Sequence, residues 1–174
     1  MGSQTLLSDL EDLCAWVENV QPRSSGCMGA CGMGPNATSA ASDGHGSLHT
    51  GIGTLDEALR VLQAVARQAD PTCSVSIPDE VLARIELRSD GDRLANSMDP
   101  VDNAEAELHF TQAIDAEQIP APVPGHLSAE QAERRRSDQL RKLYMLRSNV
   151  RGSQALQNYD GAIADCDRVL EFAP

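Results

Sequence analysis

Residues 159–174 read Tyr-Asp-Gly-Ala-Ile-Ala-Asp-Cys-Asp-Arg-Val-Leu-Glu-Phe-Ala-Pro. The spacing predicts a helix from about Asp160 to Phe172. Ala162, Cys166 and Val169 stand four and three residues apart, which places them on one face. Small side chains on such a face let a second helix approach closely, and larger ones fill the groove between the two. Pro174 cannot continue the helix. The stretch therefore asks for a partner helix and points to a fold of helical hairpins.

Working upstream, Leu143 to Leu156 is the candidate partner. Ser128-Ala129-Glu130-Gln131 is a capping-box pattern that opens a long basic helix carrying Arg134, Arg135, Arg136, Arg141 and Lys142. Before it lies IPAPVPG, residues 119–125, whose alternating prolines predict a stiff extended linker. Two more helices are expected at about 79–97 and from Val101 to Gln118, the second entered through Asp99-Pro100. Ala106, Phe110 and Ala113, followed by Ile114, repeat the small–large–small spacing, with Leu87, Gly91 and Leu94 on the helix before.

These features resemble tetratricopeptide repeats. Tyr159, Ala162, Cys166, Val169 and Pro174 fall at the positions of that family's second helix, and Ala106, Phe110 and Ala113 form an earlier copy. Asn149 and Val150 stand where the family favours Leu and Gly, and the loop NSMDPVDN is about three residues longer than the family's. The resemblance covers roughly residues 80–174. It implies all-α hairpins that bind peptides or neighbouring subunits without performing chemistry. Two repeats are fewer than the roughly three usually needed for independent stability. That implies a covering partner or further chain beyond Pro174. Tyr159 and the Arg134–Arg136 run are the candidate interaction residues, the arginines for an acidic neighbour or simply as a solvated face.

The first 79 residues differ. An amphipathic helix is expected over 3–19, on Leu6, Leu7, Leu10, Leu13, Cys14 and Val17. Gly, Ser and Ala dominate residues 20–53, where NATSAASDGHGSLHTGI suggests a two-stranded hairpin turning at Asp43-Gly44. Thr54-Leu55-Asp56-Glu57 is a second capping box. The helix it opens, to about Ala69, is ended by Pro71, and residues 70–79 form a linker to the helices that follow.

Within the Gly-rich part stands CMGACGMGPN, residues 27–36. With the hairpin and helix after it, to about Val65, this loop is similar to the C-terminal half of thioredoxin-like [2Fe-2S] ferredoxins. The resemblance implies a partial thioredoxin-like α/β domain over residues 1–69, with Cys27 and Cys31 as cluster ligands. A cluster needs four ligands. The family draws the other two from a loop ahead of its first helix, and no such cysteine pair stands ahead of the helix here. The expectation is a domain that keeps the loop and holds no cofactor, or a chain with residues preceding Met1. A [2Fe-2S] cluster is the alternative. Cys27, Cys31, His45 and His49 can be drawn as a zinc set, but the spacing matches no finger pattern. A Cys27–Cys31 disulfide is a further option.

Composition bounds the function classes. Only 3% of residues are aromatic, so a core must rest on Leu, Val, Ile and Ala, which suits helices. The net charge of −12 disfavours nucleic acid and anionic membrane surfaces. No run reaches the roughly 20 apolar residues of a membrane span, so no membrane insertion of its own is expected. Five irregularly spaced cysteines suggest an intracellular, reducing compartment. No phosphate loop or nucleophile elbow is present, and the chain reads as not an enzyme. The sequence thus predicts a predominantly helical interaction subunit of a larger assembly. Electron carrier and thiol redox sensor are the alternatives. The ferredoxin likeness further implies protein partners in a redox or photosynthetic complex, on the stromal side of a plastid.

Overall fold

Cap chemistry sets where the helices begin. In the computed structural model, which describes residues 3–24, 32–40, 46–97, 99–119 and 122–172, both expected capping boxes form. Thr54 Oγ1 accepts from the Glu57 amide at 3.3 Å, while Glu57 Oε2 accepts from the amides of Thr54 and Gly53 at 3.0 and 2.7 Å. Ser128 and Gln131 exchange the same pair of bonds at 3.2 and 2.8 Å. Asp99 caps the helix beginning at Pro100 by accepting from the Val101 amide. Proline suits that first position because its missing N–H would have no intrahelical partner.

The described residues are predominantly helical and fall into two compact units, Met1–Ile77 and Pro78–Pro174. No helix among them is long and apolar enough to cross a membrane. The first unit holds α1 (Ser3–Cys14), β1 (Ala37–Ala40), β2 (Gly46–His49) and α2 (Leu55–Ala69). The helix expected over 3–19 stops at Cys14, and the chain turns through Asn19 at a φ of 64°. The strands pair antiparallel, Ala37 with His49 through Ala40 with Gly46. The expected turn at Asp43-Gly44 lies outside the described residues. α1 packs on α2, burying Leu6, Leu13 and Cys14 on one helix and Ala58, Leu62 and Ala66 on the other.

The second unit is a run of four helices: α3 (Asp79–Ala95), α4 (Pro100–Gln118), α5 (Ala129–Arg151) and α6 (Tyr159–Glu171). Successive helices pack antiparallel. Arg84 early in α3 reaches Glu117 at the end of α4, Arg136 and Arg151 of α5 reach Glu117 and Glu107 of α4, and Arg151 reaches back to Gly161 of α6. The core centres on Ala106, Phe110, Ala113, Ile114, Leu140, Leu143, Tyr144 and Val150. Gly91 is what lets α3 approach α4: a Cβ there would lie 2.8 Å from the fully buried Phe110 ring. Two expectations shift. The α3–α4 connection is shorter than NSMDPVDN suggested, because Pro100 to Asn103 already belong to α4. The helix expected over 143–156 is the end of α5, which stops at Arg151.

Candidate interaction surface

α6 meets its neighbours through charge as well as apolar packing. Asp165 is 2% exposed, yet it is a carboxylate, and such a group is tolerated inside only when paired. Two guanidiniums of α5 supply the pairing. Arg147 donates to both Asp165 oxygens at 3.0 and 2.7 Å, and Arg151 donates to Oδ2 at 3.1 Å. Arg147 also donates to Thr111 Oγ1, and Arg151 to Glu107 at 2.6 Å, so the network joins α4, α5 and α6. The Arg147 guanidinium lies 5.3 Å from the centre of the Tyr144 ring, and that ring stacks on Phe172 at 6.1 Å. α6 is therefore held against α5 at its middle by Asp165 and at its C-terminal end by Phe172.

The opposite face of α6 is uncovered by any described residue. Tyr159, Ile163 and Leu170 are 58%, 60% and 70% exposed, and Cys166 is exposed between them. Cys166 was expected to help fill the groove inside the hairpin. Instead Asp165, one residue earlier, takes the buried side, and Cys166 turns to the solvent row. At about 100° per residue the four side chains fall within about 60° of one another. Asp160, Asp167 and Glu171 run alongside them on the solvent flank. Glu171 is neutralised by Arg168 at 2.7 Å, and that contact holds the Arg168 pKa above its ordinary value.

The Arg134–Arg136 run does not join this surface. It sits near the start of α5, about 24 Å along the helix from its end at Arg151. Arg134 pairs with Glu130 on its own helix at 2.6 Å. Arg136 Nε donates to the carbonyl of Glu117 at 2.8 Å, and Arg84 donates to that of Ile119 at 3.1 Å. These guanidiniums supply donors to the carbonyls at the end of α4, which lack intrahelical partners. Arg136 is a tether between helices. Arg135 is half-buried on the same helix.

Cys27 and Cys31 lie outside the described residues. The exit of their loop is described. Gly32 and Gly34 adopt φ of 86° and 80°, and the Pro35 carbonyl accepts from the Ile52 amide at 3.0 Å. A Cβ on Gly34 would stand 3.3 Å from the Cα of Gly51, so the loop exit lies directly against the exit of the hairpin. His49 is taken up by the sheet, 3.4 Å from Ser39 Oγ on the neighbouring strand. Cys14 is buried in α1, and Cys73 is half-buried. Among the described residues, no group of three or more His, Cys, Asp or Glu side chains is placed to hold a metal ion.

Glu57 and Asp70 have displaced pKa values, and they belong to a cap and a turn. Glu57 is lowered by the Gly53 amide and then by the Thr54 hydroxyl, and Asp70 by the Thr72 hydroxyl and amide. Sequence reasoning found Tyr159 but missed Ile163, Leu170 and Asp165. The signal for Ile163 and Leu170 was a second apolar row on one helix, with Ile163, Cys166 and Leu170 standing four, seven and eleven residues after Tyr159; Asp165 had no such signal. No protein-family model, curated protein or solved structure matches the chain.

Proposed function

We propose that this protein is a non-enzymatic interaction subunit of a larger assembly, and that it docks through its four-helix unit. The observation that carries this reading is the α6 face: three large apolar side chains in a row, more than half exposed, on a helix whose other face is clamped by buried ion pairs. Scattered exposed apolar residues need no explanation, but an aligned row on a fixed helix does. In this reading the second unit is a pair of tetratricopeptide-like hairpins, and the first is a partial thioredoxin-like domain that retains a ferredoxin-type loop. The likeness of that loop suggests partners in a redox or photosynthetic complex.

The test is the size at which the chain migrates in extracts of cells that produce it. Migration far above a single chain is expected, and Ile163→Asp with Leu170→Asp should return it to the size of one chain. Assembly unaffected by that pair of changes would sink the reading. So would about two irons per purified chain, lost on Cys27→Ser, because the protein would then be a [2Fe-2S] electron carrier.

A further inference from the structure

The apolar row on α6 has the spacing of a coiled-coil seam. Tyr159, Ile163, Cys166 and Leu170 follow one another at four, three and four residues, the alternation of the d and a positions of a heptad. Asp160 and Asp167 then occupy successive e positions, where charge selects the partner of a helical seam. The other flank is closed: Val169 packs against the core with α5. Glu171 is paired with Arg168, so the charge offered along the open flank comes from Asp160 and Asp167.

We propose that α6 docks an amphipathic helix of another protein whose own apolar row is flanked by Lys or Arg. This rests on the docking function proposed above and adds the chemistry of the partner. A second copy of α6 is disfavoured: packed antiparallel, seam on seam, Asp160 and Asp167 face the same acids of the other copy and like charges repel, and packed parallel they face its Val169 flank, which is already closed against its own core. The chain's net charge of −12 opposes self-association in the same direction. An anionic lipid surface is disfavoured by the same two acids. A helix with basic flanks answers both features: apolar side chains fill the seam, and Lys or Arg meet the acids. The seam is about 17 Å long, so the partner contributes about three turns. The ion pairs from Asp165 to Arg147 and Arg151 hold α6 before the partner arrives, which reduces the ordering cost of docking.

Two designed helical peptides test this, with the same apolar heptad seam and either Lys or Glu at every flanking position. Binding to the full chain is followed by fluorescence anisotropy. The Lys peptide should bind roughly tenfold or more tighter than the Glu peptide at low salt, with the gap narrowing as salt screens the charges. Asp160→Lys with Asp167→Lys should reverse the ranking, and Ile163→Asp with Leu170→Asp should abolish binding of both peptides at unchanged helical circular dichroism. Equal binding of the two peptides, or a ranking that survives the charge reversal, overturns the basic partner. It does so without touching the docking function, which fails only if assembly in extracts ignores the Ile163 and Leu170 changes. Sedimentation showing that α6 pairs with a second copy, lost on Ile163→Asp, also overturns it.

Discussion

The two units solve the same problem with different means. The Pro78–Pro174 unit has four long helices, a fully buried aromatic ring at Phe110 and ion pairs that reach across three helices. The Met1–Ile77 unit has two helices and a hairpin of two four-residue strands, and its irregular segments are fixed by glycine conformations, a capping box and single backbone bonds such as Ile52 to Pro35. The first arrangement concentrates stability in a few side chains far apart in sequence. The second spreads it over local backbone geometry. Truncating one side chain should therefore hurt the four-helix unit far more. The only tryptophan, Trp16, follows α1, so its fluorescence reports on the first unit, while circular dichroism at 222 nm is dominated by the longer helices of the second.

The largest effect is expected at Phe110. Phe110→Ala removes the ring that Gly91 was shaped to admit and should cost about 3–5 kcal/mol. The helical transition should fall steeply while the Trp16 transition moves little. Equal displacement of both signals would mean that the two units melt as one. Asp165→Ala is expected to cost about as much or slightly less, roughly 3–5 kcal/mol, by stranding Arg147 and Arg151 without their buried carboxylate. Asp165→Asn keeps the shape and not the charge. A cost for Asn well below that for Ala would assign the site's value to packing and not to ionic pairing.

The same contrast explains which features were legible in the sequence. Capping boxes at Thr54 and Ser128 and the Asp99-Pro100 start were readable because cap chemistry involves residues within one turn. The hairpin was readable from its composition. Asp165 was not, because its partners lie 14 and 18 residues away on another helix, and only the packing phase turns them inward. Cys166 was misjudged for a related reason. α6 carries two candidate inner rows, one through Ala162 and Val169 and one through Tyr159, Ile163 and Leu170, and periodicity alone does not choose between them. The same ambiguity hid most of the proposed docking seam. The Arg134–Arg136 run was visible as charge, but its partition into an intrahelical pair at Arg134 and an interhelical tether at Arg136 depends on where α4 ends.

In the first unit the largest single effect should be a backbone one. Gly34 holds φ at 80°, and its Cβ position faces the backbone of Gly51 at 3.3 Å, which cannot rotate aside as a side chain does. Gly34→Ala should cost about 1–2 kcal/mol from the left-handed conformation alone. A drop in the Trp16 transition with the 222 nm transition nearly unchanged is the expected signature. No change in either would mean that the loop exit contributes nothing to the unit's stability.

The smallest effect belongs to the α2 cap, and its pH dependence has a definite sign. Thr54→Ala should cost about 1 kcal/mol. Glu57 accepts from the Gly53 and Thr54 amides more strongly as a carboxylate than as a neutral acid, and those contacts hold its pKa below the ordinary 4.5. A carboxyl group with a depressed folded pKa stabilises the fold above its unfolded value and loses that contribution as pH falls through the folded value. The thermal midpoint of the wild type, read from Trp16 because α2 packs on α1, should therefore exceed that of Glu57→Gln near neutral pH. The gap should close as the solution is acidified through the carboxylate range. A gap that stays constant on acidification would show that the charge on Glu57 is not what the cap uses. The first unit's reliance on local electrostatics would then be confined to its glycines and backbone bonds.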